Sequence, residues 1–212
     1  ALPAYIKLAY LPGAGMVKLR LTGRGSDATY LTGELENWQN QIADRLRNIV
    51  VAMEDIPLEQ ILGRWFAANN ATLGFAESCT GGFIAHHITQ VQGSSDYFKG
   101  SIVCYSNDIK EKVLGVNKDT IEQYGAISEQ TVTELVQGAL RVLEVDYAFA
   151  VTGLMSEGGE SDKTEVGTVW MAVADRNSVV TRKMWFPFDR ARNKEMTVSM
   201  GMLMLLKFIT KS

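Results

Sequence analysis

The segment Glu77-Ser78-Cys79-Thr80-Gly81-Gly82 places several reactive groups between a short apolar run and an amphipathic stretch. A strand that leads through this turn into a helix would present backbone N–H groups where the helix dipole favours an anion. Gly81 and Gly82 would let a ligand approach the backbone, and Ser78 and Thr80 would add hydroxyl donors. A nucleophile would also suit this position, because nearby N–H groups can hold a developing oxyanion. A simple Ser/Thr helix cap is the alternative interpretation.

A serine nucleophile needs a base, and the region after the next strand offers one. Tyr105, Ser106 and Asn107 come where that strand should end, and Lys110 follows about one helical turn later. A lysine held against apolar surface loses its proton at moderate cost, and a tyrosine can relay a proton. The alternative for Lys110 is a solvated helix lysine. Cys79 is a rival nucleophile, because thiols at helix starts can be activated.

Two further stretches have the composition of ligand-binding loops. Thr152-Gly153 ends a predicted strand, and the loop that follows contains Gly158-Gly159. Asp189, Arg190 and Arg192 open the last helix, where arginines could grip a phosphate. Turn chemistry for the loop and surface solvation for the arginines are the alternatives.

Alternating strand and helix patterns indicate the elements that must position these groups. Apolar runs predict strands at 72–77, 99–105, 146–152, 166–174 and 179–187. Helical spacing predicts helices at about 81–91, 107–114, 118–124, 129–143 and 189–210, with another after residue 57. This order predicts an α/β fold with a layered mixed β-sheet and helices on both faces, closed by a hairpin at 175–178.

The start of the chain predicts a separate small α+β module. Two strand patterns, at 5–12 and 15–24, flank a Pro-Gly turn, and helical spacing follows at 31–50. The pattern restarts after Asp55, which can cap a helix with Pro57 in its first turn. We therefore predict a ββα module at 1–54 and an α/β domain at 55–212.

Composition and charge limit the function classes. The chain has 212 residues and a net charge of −3, which disfavours a protein held on nucleic acid by phosphate contacts. No apolar run approaches the ~20 residues of a membrane span, and no signal peptide pattern is present. The two cysteines form no disulfide framework, and adjacent histidines diverge on a helix, so no metal site is expected. We expect a cytoplasmic protein without membrane or nucleic-acid partners.

Several motifs together resemble the C-terminal domain of the CinA family over roughly residues 57–210. They are "AESCTGG", "YSNDIKEKVLGV", "YGAISEQTV", "DYAFAVTG", "VGTVWMAV" and "FPFDRAR", in that order. The stretch "IKLAYLPGAGMVKLRLTGRG" resembles the KH-like middle module of longer CinA proteins. The resemblance implies that this chain lacks the N-terminal molybdopterin-binding-like domain of those proteins.

The resemblance implies hydrolysis of the amide of nicotinamide mononucleotide, giving nicotinic acid mononucleotide and ammonia. Ser78 matches the family's nucleophile, and Tyr105 and Lys110 match its partners. No metal or redox cofactor is implied, and a homodimer is expected. The residues expected at the substrate are Glu77, Thr80, Gly81, Gly82, Ser106, Asn107, Thr152, Gly153, Gly158, Gly159, Asp189, Arg190 and Arg192.

The loop between "DYAFAVTG" and "VGTVWMAV" departs from the family pattern. Ser156 and Glu157 replace a Gly-Pro pair, Glu160 replaces a glycine and Glu165 replaces a proline. Added carboxylates near a phosphate would repel it. Two hypotheses therefore stand: an amidohydrolase of a pyridine mononucleotide, and a weakly active or inactive nucleotide-binding module that acts through a partner.

Overall fold

The computed structural model describes residues 2–157 and 164–210 and has the mixed α/β architecture that the sequence predicts. The chain divides into two compact units, of which one ends at Pro57 and the other begins at Leu58. The boundary predicted from the sequence lies after residue 54. Gly158 and Gly159, which were predicted to contact substrate, lie outside the described residues, as does Glu160.

The first unit contains an antiparallel strand pair and one helix. Strand β1 (Ile6–Pro12) pairs with β2 (Val17–Gly23), and helix α1 spans Ala28–Arg45. The helix begins before the predicted residue 31 because the Asp27 side chain caps it, accepting a hydrogen bond from the Tyr30 amide at 3.0 Å. The ββα order therefore agrees with the sequence, whereas the KH-like identity of this unit stays a prediction.

The second unit alternates helices and strands, and a short 3₁₀ turn at Ser94–Asp96 was not predicted. Its elements are α2 (Leu58–Asn69), β3 (Leu73–Glu77), α3 (Phe83–Thr89), β4 (Phe98–Val103), α4 (Asn107–Leu114), α5 (Lys118–Tyr124), α6 (Glu129–Leu143), β5 (Tyr147–Gly153), β6 (Thr168–Ala174), β7 (Val179–Trp185) and α7 (Arg190–Ile209). The strands form one sheet in the order β4-β3-β5-β6-β7. The first three of these strands are parallel, and β6 and β7 join antiparallel.

Helices cover both faces of this sheet. Small residues such as Ala76, Ala148 and Ala150 face α6 and let this helix pack closely. Side chains alternate along a strand, so Phe75 and Phe149 point to the other face, where their rings lie 6.2 Å apart near α7. Both faces are thus buried, which explains why the central strands read as nearly continuous apolar runs.

The strand order creates a topological switch point between β3 and β5. From β3 the chain crosses to β4 on one side, whereas from β5 it continues to β6 on the other side. Open α/β sheets bind ligands at such a switch point, outside the carboxyl ends of the strands. Ser78 follows β3 at this point, and its amide donates to the carbonyl of Val151 in β5 at 3.0 Å.

A pair of hydrogen bonds between Thr72 and Asp146, called the polar lock below, lies at the amino ends of β3 and β5. Asp146 precedes β5 and accepts hydrogen bonds from the amide and hydroxyl of Thr72, which precedes β3. These hydrogen bonds hold the pKa of the Asp146 carboxyl below its usual range. The polar lock holds β3 and β5 in register at the end of these strands that is opposite to Ser78.

Candidate functional site at the carboxyl ends of the strands

The Glu77 carboxylate holds the turn after β3. Glu77 is fully buried, and described donors reach it at 2.8–3.0 Å: the amides of Gly82, Ile84 and Ala85 and the hydroxyls of Thr80 and Ser101. A carboxylate placed there satisfies the free amides at the start of α3 and the positive end of its dipole. The structure thus gives Glu77 a different task from the substrate contact predicted. It also occupies amides that were expected to bind an anion.

Ser78 lies at the centre of this turn and is only 7% exposed. Its Oγ forms no hydrogen bond with any residue that the structure describes. Gly81 and Gly82 follow with φ of 65° and 94°, a backbone conformation that residues with a Cβ rarely adopt. The turn therefore needs both glycines for its shape, and Ser78 is held by backbone contacts while its hydroxyl stays unpaired.

Cys79 is adjacent to Ser78 but lies in a different environment. It is 5% exposed, and burial raises the pKa of its thiol to about 12. The thiolate is the reactive form of cysteine, so this thiol is poorly nucleophilic near neutral pH. The geometry favours Ser78 over Cys79 as the nucleophile.

Lys110 is a buried lysine near the carboxyl end of β4. Its side chain is 2% exposed, and its Nζ donates to the carbonyl of Cys104 at 3.0 Å. Burial lowers the pKa of the Lys110 ammonium, and the Lys110 charge acts in turn on the thiols of Cys79 and Cys104. A lysine with a lowered pKa beside a serine-bearing turn has the property that a general base requires.

Arg190 connects three segments that are far apart in the sequence. From the first turn of α7 its guanidinium donates to the Tyr105 hydroxyl at 2.9 Å and to the Ser156 hydroxyl at 3.0 Å. Tyr105 follows β4 and is 62% exposed, and Ser156 lies in the loop after β5. The structure thus brings together Tyr105 and Arg190, which the sequence singled out separately. Ser156, which replaces a family glycine, supplies one of the two acceptors.

Asp189 and Arg192 do not face the same way as Arg190. Asp189 caps α7 by accepting from the Arg192 amide at 2.9 Å, and the Arg192 guanidinium lies 4.6 Å from the ring centroid of Phe188. Residues two apart on a helix do not share a face. The two arginines therefore have different neighbours, and the phosphate contact expected of them stays a prediction.

Lys194 is a cation of this site that the sequence analysis missed. Its Nζ lies 3.9 Å from the position that a Cβ would take on Gly81. Lys194 follows Arg190 by four residues, so both side chains share one face of α7. That spacing was the signal available in the sequence. Asn193 supports the arrangement, because its buried side chain binds the Phe188 backbone and the Met155 carbonyl.

Ser106 and Asn107 open helix α4. The Ser106 hydroxyl accepts from the amide of Ile109 at 3.3 Å and thereby caps the helix. Asn107 is the first residue of the helix and is exposed. The observed contact of Ser106 thus serves the start of the helix that carries Lys110.

Thr152 and Gly153 lie at the carboxyl end of β5, where each contacts a neighbouring segment. The Thr152 hydroxyl donates to the Ala126 carbonyl at 2.8 Å and is buried. A Cβ on Gly153 would lie 2.7 Å from the Thr168 carbonyl of β6, so only glycine fits there without movement. These contacts hold the loop before α6 and the start of β6 at the switch point.

The arrangement suits nucleophilic chemistry on a ligand that carries an anion. It combines an unpaired hydroxyl at Ser78, the desolvated amine of Lys110, and two cations on one face of α7. Within residues 2–157 and 164–210 there is no group of three or more His, Cys, Asp or Glu side chains that could hold a metal ion. No helix of that same part of the chain has the length and apolar character to cross a membrane.

Fold and site together define an open α/β domain. Its candidate site lies at the topological switch point, at the carboxyl ends of β3 and β5. The chain belongs to the CinA family, because the family model of the CinA C-terminal domain matches residues 55–209. CinA-like proteins of Cytophaga hutchinsonii and Flavobacterium psychrophilum are 38% and 36% identical over 197 and 212 residues. These alignments cover 93% and 100% of this chain but 47% and 51% of the relatives, so the chain spans about half their length.

Solved structures of the same family share the fold. Competence damage-inducible protein A from Klebsiella pneumoniae has a TM-score of 0.70 and 30% identity, covering 72% of this chain and 95% of that one. Competence/damage inducible protein CihA from Agrobacterium tumefaciens has a TM-score of 0.69 and 35% identity, covering 71% of this chain and 92% of that one. The resemblance found in the sequence is thereby confirmed at the level of family and fold.

Proposed function

We propose that this protein hydrolyses the carboxamide of nicotinamide mononucleotide to nicotinic acid mononucleotide and ammonia. The observation that carries the proposal is Lys110, a buried lysine with a lowered pKa beside the turn that presents Ser78. A serine hydroxyl becomes a useful nucleophile only with a base at hand, and a desolvated lysine supplies one without histidine. Family membership is consistent with this reaction.

The first half of the reaction forms an ester with the enzyme. The neutral Lys110 amine takes the Ser78 hydroxyl proton, directly or through Tyr105, while Oγ attacks the carboxamide carbon. The carbonyl oxygen becomes an oxyanion. Its collapse breaks the carbon–nitrogen bond, and the Lys110 ammonium returns the proton so that ammonia leaves.

The second half regenerates the serine. Water attacks the ester carbon and gives a proton to Lys110, and collapse of the second tetrahedral intermediate expels Ser78 Oγ, which recovers that proton. The product is the nucleotide carboxylate. Nucleophile, base and oxyanion donors suffice for this chemistry, so the proposal needs no cofactor.

The nucleotide phosphate would be bound by the cations of α7. Arg190 offers a planar guanidinium suited to a phosphate, and Lys194 adds a second charge on the same helix face. Arg190 is engaged by Tyr105 and Ser156. The phosphate would therefore replace one of these neutral acceptors with a charged one.

The proposal is tested by incubating the purified protein with nicotinamide mononucleotide and measuring ammonia and nicotinic acid mononucleotide together. Equal amounts of the two products are expected, and none from the Ser78→Ala variant. Free nicotinamide, which lacks the ribose phosphate, should react far more slowly. Binding of the mononucleotide without either product would instead support the second candidate, a nucleotide-binding module. The engagement of Arg190 by the non-family Ser156 favours that candidate.

A further inference from the structure

The backbone amides of the turn after β3 have unequal partners. Most of them are taken: Ser78 donates to Val151, Gly81 to the Ser78 carbonyl, Phe83 to the Thr80 carbonyl, His86 to the Gly82 carbonyl, and Gly82, Ile84 and Ala85 to Glu77. Buried backbone amides are paired in the great majority of cases. The start of α3 therefore has no amide to spare for a ligand up to His86.

Two amides of the turn are exceptions, and they directly follow Ser78. The Cys79 N–H meets only its own thiol, and neither it nor the Thr80 N–H donates to another residue within the described part of the chain. Ser78 Oγ, the neighbouring hydroxyl, is likewise without a partner there, although its residue is more than nine-tenths buried. Backbone donors without another residue as acceptor and an unpaired nucleophile thus occur together in the same turn.

We propose that the Cys79 and Thr80 amides form the oxyanion hole of Ser78, and that Glu77 is the positioning residue that holds them. This inference rests on the proposed amide hydrolysis. In hydrolases whose nucleophile follows a strand, the amide after the nucleophile is a regular oxyanion donor. Removal of one such donor typically costs about 10²–10³ in kcat.

Glu77 acts by removing the competing donors. Its two oxygens bind amides and hydroxyls on both sides, including the Thr80 hydroxyl, which fixes the turn while the backbone amides of Cys79 and Thr80 are not bound by Glu77. A glutamine at this position has one acceptor oxygen and one NH₂ group. Whichever way it turns, the NH₂ group meets a backbone N–H, because Ala85 lies on one side and Gly82 and Ile84 on the other. The turn must then shift, and the two free amides shift with it.

The kinetic test compares nicotinamide mononucleotide with its thioamide analogue, whose sulfur is a weak hydrogen-bond acceptor. The parent enzyme should prefer the oxygen substrate strongly. In Glu77→Gln, kcat for the oxygen substrate should fall about 100-fold or more. The thioamide rate should fall much less, KM should change little, and the oxygen-to-sulfur preference should collapse.

The matched control is Asp146→Asn, the same change from carboxylate to amide in the polar lock at the amino ends of β3 and β5. It should lower the melting temperature while keeping the parental oxygen-to-sulfur preference. Thermal unfolding and circular dichroism would confirm that both variants fold. If Glu77→Gln is active and lowers both rates equally, or leaves the preference unchanged, the oxyanion hole lies elsewhere and the inference is wrong.

A second measurement separates this inference from the proposed reaction. Pyridine-3-boronic acid forms a tetrahedral adduct with an activated serine and needs no amide hydrolysis. In a crystal structure of the adduct, one boron-bound oxygen should lie within about 3.1 Å of the Cys79 and Thr80 nitrogens. That result with no hydrolysis of the mononucleotide would reject the proposed reaction and keep the oxyanion hole. An adduct whose oxygens face away, or no adduct and no hydrolysis, would reject the oxyanion hole.

Discussion

Ser78 and Cys79 are neighbours, yet the structure gives their side chains different chemistry. Burial raises the pKa of Cys79 to about 12 and keeps its thiol protonated, whereas the Ser78 hydroxyl is unpaired in the same turn. The sequence could name both residues as candidate nucleophiles but could not rank them. Only the environment of each side chain decides between them, and that environment depends on residues distant in the chain.

We predict that Ser78→Ala lowers amide hydrolysis by about 10³-fold or more, because no other described group replaces the nucleophile. Cys79→Ala should keep most of the activity, since it removes a protonated thiol. Ammonia release from nicotinamide mononucleotide measures both variants, and thermal unfolding checks their folds. An active Ser78→Ala together with an inactive Cys79→Ala would reverse the assignment.

We predict that Lys110→Met removes the rise of kcat toward higher pH. Only the neutral amine accepts a proton, and its fraction increases as pH rises through the Lys110 pKa, which burial places below its usual value. The parental rate should therefore rise with pH and level off below the range of an exposed lysine. The measurement is a pH–rate profile of kcat.

Lys112→Met is the matched control for this profile. Lys112 lies on the same helix but is exposed and paired with Asp108 at 2.8 Å, so its loss should leave the profile unchanged. A Lys110→Met variant that keeps the parental rise would place the base elsewhere. A loss of the rise in both variants would point to a general charge effect.

At the level of elements, the sequence predicted most helices and strands closely because their ends carry local signals. Ser106 and Ser128 cap α4 and α6, and both helices have the predicted bounds. Helix α3 is shorter than predicted, because Gly82 adopts a left-handed conformation and the helix begins only at Phe83. The role of Glu77 was not predictable, since nothing local shows which acceptor reaches the amides of a turn.

The loop after β5 gives a prediction at this scale. Ser156→Ala removes the acceptor that Arg190 Nη1 engages at 3.0 Å, so Arg190 becomes freer to bind a phosphate. The affinity for nicotinamide mononucleotide should rise by about two- to tenfold, as expected for one hydrogen bond of 0.5–1.5 kcal/mol. Nicotinamide riboside, which lacks the phosphate, should show little change.

Calorimetric titration of both ligands into both proteins measures this difference. Ser178→Ala is the control. It removes an exposed serine hydroxyl that donates to Asp175 in the β6–β7 turn, which lies at the end of the sheet opposite to the candidate site. An equal gain for nucleotide and nucleoside would show that Ser156 acts on loop shape.

Glu157 offers a separate test, since Glu157→Pro should tighten nucleotide binding only if its charge repels the phosphate.

At the scale of the whole molecule, sequence patterns predicted the order of the elements but not which of their side chains meet. Ser78, Tyr105 and the loop after β5 were singled out separately, because spacing along the chain cannot show that they meet. The contact between Tyr105 and Arg190 spans 85 residues and depends on the placement of α7, which periodicity does not reveal. Lys194 was missed for the same reason. The expected homodimer stays a prediction.

The last prediction concerns the independence of the second unit. Every described residue assigned to the site lies after Pro57, where that unit begins. A solved structure of the same family matches along 100% of its length with 74% of this chain, so a chain of about this domain's extent has the same fold. A fragment of residues 55–212 should therefore keep the parental kcat and KM for nicotinamide mononucleotide and melt cooperatively. The same fragment with Ser78→Ala should be inactive. A folded fragment with a normal melting transition but a raised KM would show that the first unit contributes to substrate binding.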